Sequence, residues 1–199
     1  TFKPIALHRN DSTLLVSSDT VLKENDIVYF ISLKESIEKL TKICGRENFK
    51  IKDIMILGGS RIGVYTAELL EKHYRVTLVE KDRGRCEEIA AMLSKTLVIN
   101  MDGHDVKLLE EEGLTDMDAL ISVTADSEMN IMSSLVGKKY GIKKTIARIE
   151  NFDYIHLSQS IGVDTLINKK IIAASNIFKY VRKGNVSSVA NLHGVDAEI

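Results

Sequence analysis

The sequence predicts an α/β fold, with a parallel sheet doubly wound by helices from residue 53 onward and a smaller β-rich segment ahead of it. Three observations lead there. Apolar runs of strand length alternate with amphipathic stretches of helix length through residues 53–183, the pattern of a sheet covered on both faces. A turn rich in small residues, Gly58-Gly59-Ser60-Arg61-Ile62-Gly63, sits between the first of those runs and its helix. Before residue 46 the rhythm is different, with three β-like runs and then one helix. Right-handed crossovers give the larger part its doubly wound order.

Residues 1–45 read as a small β segment closed by a helix. Ile5–Arg9, Thr13–Ser17 and Ile27–Ser32 are strand-like. Asn10-Asp11-Ser12 and Glu24-Asn25-Asp26 supply the turn chemistry between them. Leu33–Cys44 places Leu33, Ile37, Leu40 and Cys44 on one helical face, and Gly45 ends that helix. Charged residues in Arg46–Lys52 mark a linker.

Six strands follow: Ile54–Leu57, Val76–Val79, Thr96–Asn100, Ala119–Thr124, Thr145–Ile149 and Thr165–Ile167. Between them lie a helix over Ile62–His73, burying Ile62, Thr66, Leu69 and Leu70, and one over Arg85–Leu93, burying Cys86, Ile89, Ala90 and Leu93. A short His104–Glu112 helix, Ser127–Tyr140 and Asp153–Ile161 complete the alternation. Lys170–Lys183 carries the stripe Ile171, Ala174, Phe178 and Val181. Either it packs on its own sheet or it crosses over to dock on another subunit. The sheet is complete before it, which favours the second. Residues 184–199 begin a further strand, Ser187–Leu192, and read as the truncated start of a further subdomain, being too few for a domain.

Lys and Arg number 27 against 28 Asp and Glu, so no net field draws the chain to nucleic acid. Cys44 and Cys86 form no C-x-x-C pair and read as buried or half-buried free thiols of a reducing compartment. No apolar run approaches the roughly 18 residues a spanning helix needs. The five histidines show no metal-ligand spacing, and no nucleophile–base constellation is visible. Thr1-Phe2-Lys3-Pro4 is neither a signal peptide nor a start, so the chain is expected to be cut from a longer one.

The chemistry concentrates in the turn. Gly58 permits the tight exit from the strand, and Gly63 lets the helix pack closely on the sheet. Ser60 stands where the dinucleotide fingerprint of Rossmann folds has its second glycine, leaving less room for a phosphate. The helix start, at Arg61 and Ile62, offers N–H groups and a positive dipole end to phosphate oxygens. Glu80 ends the second strand 22 residues after Gly58, near the roughly 20 at which the fingerprint places its acid. A carboxylate there accepts ribose hydroxyls and repels a 2′-phosphate, favouring NAD or an adenine nucleotide over NADP. Asp102 either borders the adenosine or caps the following helix. Thr124 and Ala125 lie near the middle of the ligand, and Asp126 or Ser127 caps the next helix. Arg61 meets a terminal phosphate or only solvent. Arg148, inside an apolar strand, requires a carboxylate or a ligand phosphate.

Ile54–Gly63, Val79-Glu80-Lys81-Asp82, Asn100–Asp105, Ala147-Arg148 and above all Thr124, Ala125, Glu128 and Asn130 resemble the nucleotide-binding half of RCK domains of the TrkA type. RCK domains regulate potassium conductance. The likeness covers about residues 53–183. Residues 1–45, through Ala6–Asn10, Asp19–Leu22 and Asn25–Val28, resemble the end of the family's C-terminal subdomain, with Asn25 where a glycine is usual. The resemblance implies a regulatory, non-catalytic unit that binds NAD, NADH, ATP or ADP through Gly58, Ser60, Arg61, Gly63, Glu80, Asp102 and Thr124, with Lys81 near the adenosine. It implies a homo-oligomer, a dimer or higher ring, on the cytoplasmic face of a membrane potassium-conducting Trk subunit. The glycine turn and Glu80 also suit an NAD-dependent oxidoreductase or a methyltransferase. Both need a substrate-binding domain, and only about 30 residues follow the sixth strand.

Overall fold

The structure, a computed structural model, describes residues 2–10, 12–45, 49–151, 154 and 161–181. The chain divides into two compact units, Lys50–Ala173 and a smaller one made of Thr1–Phe49 with Ala174–Ile199.

In the smaller unit, β1 (Phe2–Arg9), β2 (Ser12–Leu15) and β3 (Ile27–Ser32) form an antiparallel sheet in the order β2-β1-β3. Ala6 and Leu7 of the central strand are buried. Arg9 grips the Asp26 carboxylate with two hydrogen bonds, 2.7 and 2.6 Å, and Asp26 also accepts from Lys23 N at 2.6 Å. The Arg9 guanidinium in particular holds the Asp26 carboxyl down at about 2. Asn25 adopts φ +67°, the left-handed region, where only Gly, Asn and Asp sit readily. Asn25 therefore holds this turn with little of the strain a bulkier side chain would meet. A 3₁₀ turn (Lys34–Ser36) leads into α1 (Ile37–Ile43), which buries none of its residues. Leu33 and Ile37 are exposed, and so is Cys44, against the expectation of a shielded thiol.

The larger unit holds β4 (Asp53–Leu57), α2 (Arg61–Leu70), β5 (Arg75–Glu80), α3 (Arg83–Met92), β6 (Leu97–Asn100), α4 (Val106–Glu111), β7 (Ala119–Ser122), α5 (Ser127–Lys139), β8 (Lys144–Arg148) and β9 (Thr165–Ile167). Next comes α6 (Lys169–Val181), whose residues from Ala174 belong to the smaller unit. All six strands are parallel, in the order β6-β5-β4-β7-β8-β9. Successive residues of β4 point to opposite faces, and both faces are dry. Ile54 and Ile56 pack with Ala67, Ile89 and Leu93 of the α2 and α3 side. Met55 and Leu57 pack with Leu109, Leu114 and Ile142 on the other. Burial on both faces is why this strand is an unbroken apolar run rather than an alternating one. From β4 the chain runs outward to β5 and β6, then returns to place β7 on the other flank of β4. The reversal makes the carboxyl ends of β4 and β7 the switch point, where such sheets bind ligands.

Several expected boundaries and faces move. The fourth strand stops at Ser122, the fifth is Lys144–Arg148, and the first helix ends at Leu70. That helix buries Gly63 and Ala67, not Ile62 and Leu69, which are 40% and 48% exposed. Small residues face the sheet because the helix lies too near for large ones. Thr66 and Leu70 are half-buried. Ala90 is exposed, while Cys86, Ile89 and Leu93 are buried as expected. The last helix starts at Lys169, and its stripe residues Ala174, Phe178 and Val181 are exposed. In the expected linker, Ile51 packs against the core, and Lys52 N donates to Asp118 while Lys52 O accepts from Arg75 N. The helix expected over Asp153–Ile161 lies almost wholly outside the described residues, and the strand over Ser187–Leu192 entirely so. Among the described residues no helix is long and apolar enough to cross a membrane, and no three His, Cys, Asp or Glu side chains cluster as metal ligands.

Candidate nucleotide site

The site starts where β4 ends. Gly58 takes φ +109° and donates its N–H to Val79 O at 2.9 Å. A Cβ on Gly58 would stand 3.0 Å from Thr124 N, and one on Gly59 2.9 Å from Glu80 Oε2. At Gly63 a Cβ would drive into the Gly58 carbonyl oxygen. The turn is therefore wedged between the ends of β5 and β7, with no room for side chains at these positions. Ser60 is the N-cap of α2, its Oγ accepting from Gly63 N and donating to Val123 O, both at 3.4 Å. Its hydroxyl thus engages the helix and the end of β7. The N–H groups of Arg61 and Ile62 open the helix, where no preceding turn supplies carbonyls.

Glu80 faces this turn. Its Oε2 accepts from Gly59 N at 2.7 Å and its Oε1 from Asp82 N at 2.9 Å. Each carboxylate oxygen has a second lone pair, so capacity for ribose hydroxyls remains. Arg85 closes the same corner, donating from Nε to Gly59 O at 3.2 Å and pairing through Nη1 with Glu88 at 2.7 Å. Cys86 Sγ donates to Glu80 O, and burial pushes its thiol pKa up. Lys81 is exposed, and its carbonyl accepts from Asn100 Nδ2 at 2.9 Å.

Asp102 is exposed and accepts from His104 N at 3.0 Å, with His104 Nδ1 also at 3.0 Å. It does not cap α4; Asp105 does, accepting from Lys107 N and Leu108 N. Gly103 lies against Leu57 and Val79, which sets this loop over the ends of β4 and β5. At the end of β7, Thr124 is half-buried and Ala125 exposed. Asp126 caps α5 through Met129 N at 3.0 Å, a bond that lowers its pKa. Arg61 and Ile62 turn their side chains to a surface cavity of about 520 Å³ walled by α2 and α3, which includes none of Gly58, Glu80, Asp102 or Thr124. The structure thus gathers Gly58, Gly59, Ser60, Gly63, Glu80 and Thr124 into one contact network, while Lys81 and Ala125 stand exposed at its rim.

Asn130 holds the network together. It is 1% exposed, and its Oδ1 accepts from Thr124 N at 3.0 Å and Thr124 Oγ1 at 2.7 Å. Its Nδ2 donates to Thr124 O at 3.1 Å and Arg148 O at 2.9 Å. Asn130 closes the Thr124–Asn130 stretch singled out in the sequence, but its role is a tertiary fact. Arg85 carried no signal in the sequence. Arg148 found the carboxylate it required in Glu150, and its Nη1 donates to Thr124 O at 3.1 Å.

Residues 54–169 match the TrkA-N domain model. The chain belongs to the TrkA-N domain family. Among curated relatives, the Trk system potassium uptake protein trkA homolog 1 of Methanosarcina mazei is 32% identical over 98% of the chain and 48% of its own length. The Trk system potassium uptake protein TrkA of Haemophilus influenzae is 34% identical over 96% of the chain and 42% of its own. The chain therefore spans under half the length of these relatives. Solved structures share the fold. The TrkA-N domain of the inner membrane protein ybaL from Escherichia coli superimposes with TM-score 0.60 at 13% identity, over 68% of the chain and all of that domain. The GsuK channel bound to NAD gives 0.57 at 20% identity, over 90% of the chain and 32% of the channel. GsuK bound to ADP gives 0.55 at 21%, over 65% and 33%. The TrkA-N match covers the whole of the glycine turn, Glu80, Asp102, Thr124 and Asn130.

Proposed function

We propose that this chain is a regulatory, non-catalytic unit that binds NAD, NADH or, alternatively, ATP or ADP, and so gates a potassium uptake system. The reading is carried by one arrangement: a side-chain-free turn opening a helix at the switch point, with the Glu80 carboxylate 2.7 Å from Gly59 N. Phosphates meet the turn's N–H groups and the helix dipole, and Glu80 takes the ribose diol. The same carboxylate repels a 2′-phosphate, which sets NADP aside. The contact residues are Gly58, Gly59, Ser60, Arg61, Ile62 and Gly63 at the phosphates, Glu80, Lys81 and Asp102 toward the adenosine, and Thr124 and Ala125 at mid-ligand. The names of the relatives support the potassium role, and the NAD- and ADP-bound GsuK structures support the ligand class.

The chain works as a homo-oligomer, a dimer or higher ring, on a membrane potassium-conducting Trk subunit at the cytoplasmic face. Residues 1–45 serve as the end of a C-terminal RCK subdomain, a reading supported by the Arg9–Asp26 pair and the left-handed Asn25. A nucleotide shifts the balance of two subunit arrangements by its differential affinity for them, for which about 1–3 kcal/mol suffices.

Thermal unfolding of the chain with NAD, NADH, ATP, ADP and S-adenosylmethionine tests the site. At about 100 times Kd a ligand adds roughly 2.7 kcal/mol, or about 5–10 °C for a chain of this size. At least one adenine nucleotide gives such a shift, and Glu80→Ala abolishes most of it, measured against each variant's own ligand-free Tm. Shifts that survive Glu80→Ala intact, or no shift with any nucleotide, would refute the site.

A further inference from the structure

The large apolar side chains of α2 point away from the sheet that the helix covers. Ile62, Tyr65 and Leu69 are exposed, Tyr65 by 62%, while Gly63 and Ala67 are buried. The three recur at intervals of three and four residues, so they form one stripe along the helix. Ile62 and Tyr65 also line the open cavity between α2 and α3, and exposed Met92 adds an apolar side chain from α3. Packing on the sheet does not account for this stripe, and contiguous exposed apolar surface rimmed by charge marks a contact surface.

Charges flank the stripe in a definite order. Arg61 stands one residue before Ile62 and Glu68 one before Leu69, two helical turns or about 10 Å apart. Both line the cavity, and neither forms an ion pair among the described residues. Arg85, the third charge on its wall, is already engaged, with Nε on Gly59 O and Nη1 on Glu88. Ile62, Tyr65 and Leu69 thus take the a, d and a positions of a heptad, and Arg61 and Glu68 the g positions, whose charges set partner and orientation. Set antiparallel to a second copy, with Ile62 against its Tyr65, the stripe brings Arg61 to Glu68 and Glu68 to Arg61. Set parallel, Arg61 meets Thr66 of the second copy, and Glu68 a position beyond the helix end at Leu70. Slid by one heptad, the two Glu68 side chains face each other.

We propose that the exposed face of α2 docks on α2 of a second copy of this chain, the two helices antiparallel about a twofold axis. A twofold contact must be self-complementary, and this stripe carries its own complement. Tyr65 supplies an aromatic anchor of the kind enriched in such contacts. The helix has ten residues, so the contact is small and reversible, like other transient interfaces. It gives the homo-oligomer proposed above a specific face and rests on that part of the reading alone, not on nucleotide binding.

Cross-linking of the full chain, with sedimentation velocity beside it, tests the face. Tyr65→Cys in a Cys44→Ser background leaves one exposed thiol, on the stripe, since Cys86 is buried. A short bis-maleimide joins two such copies at least about fivefold faster than it joins Glu87→Cys copies, whose thiol is exposed but outside the cavity. Arg61→Glu or Glu68→Arg alone sets like charges against each other and slows the reaction about tenfold, and the two together restore it. Both changes suit the helix dipole, an acid at its start and a base near its end, so α2 itself persists. Equal rates for the two cysteine positions, or a Tyr65→Cys rate that neither charge change moves, overturn the proposal. If sedimentation still shows an oligomer, the homo-oligomer stands on another face; a monomer at every concentration overturns both.

Discussion

Adding a single methyl group at Gly63 puts the core of the site to the test. In an ordinary helix, Gly→Ala is favourable by about 1 kcal/mol. Gly63 lies in the first turn of α2 and is buried, and its Cβ would fall well inside contact distance of the Gly58 carbonyl oxygen. Both partners are backbone, so neither can swing aside. Relief requires lifting the helix from β4 or opening the turn, and overpacking of this kind destabilises by about 1–3 kcal/mol or more. The clash exceeds the propensity gain, and Gly63→Ala should lose about 2–3 kcal/mol, a fall in Tm of roughly 4–12 °C. Nucleotide binding should fall with it, because the turn is what moves. Gly84 supplies the contrast. It lies in α3, and a Cβ there meets only Asp82 Oδ1, at an ordinary 3.5 Å. Gly84→Ala should therefore be neutral or stabilise by about 0.5 kcal/mol. Denaturant and thermal unfolding of the two variants give the answer. If Gly63→Ala proved as stable as Gly84→Ala, the close approach of helix to turn would be wrong, and the site with it.

Three further outcomes are expected. Asn130→Asp replaces two donors, to Thr124 O and Arg148 O, by acceptors facing acceptors; the urea midpoint should fall by the equivalent of about 3 kcal/mol, and a change under about 1 kcal/mol would deny its bridging role. Asn25→Ala, at φ +67°, should lose roughly 1–2 kcal/mol of stability while Asn25→Gly loses none, as read from thermal melts. Acid should act through Asp118 and Asp26, whose carboxyls are held at about 2, chiefly by Lys143 and Arg9 respectively. Their folded pKa values lie below the unfolded value of about 3.9, so their stabilisation is complete above that value and is lost as pH falls through it toward 2. Lys143→Ala and Arg9→Ala should each flatten that part of the stability–pH curve, and a curve that neither variant changes would count against these pairs.

Much of this protein is legible in its sequence. The six strands were found because those buried on both faces must be continuously apolar. The turn was found because a helix cannot start that close to a strand without small residues, and Glu80 because the distance from Gly58 to the end of the next strand is set by one helix and two short loops. These are local constraints, written into neighbouring residues. What periodicity misread was the face of α2. The large residues Ile62 and Leu69 form the more apolar stripe, but closeness to the sheet decides burial, and it selects Gly63 and Ala67.

The sequence by itself determined the parallel sheet, the glycine turn and the acid beside it, because each follows from chain geometry over a few residues. Only the tertiary structure decided that Asn130 pins Thr124 to Arg148, that Arg85 locks Gly59, and that Arg148 and Lys169 share Glu150. Those partners lie on separate elements, and hydrogen bonds between them depend on strand order and on which side chains lose their water, neither of which any one segment encodes.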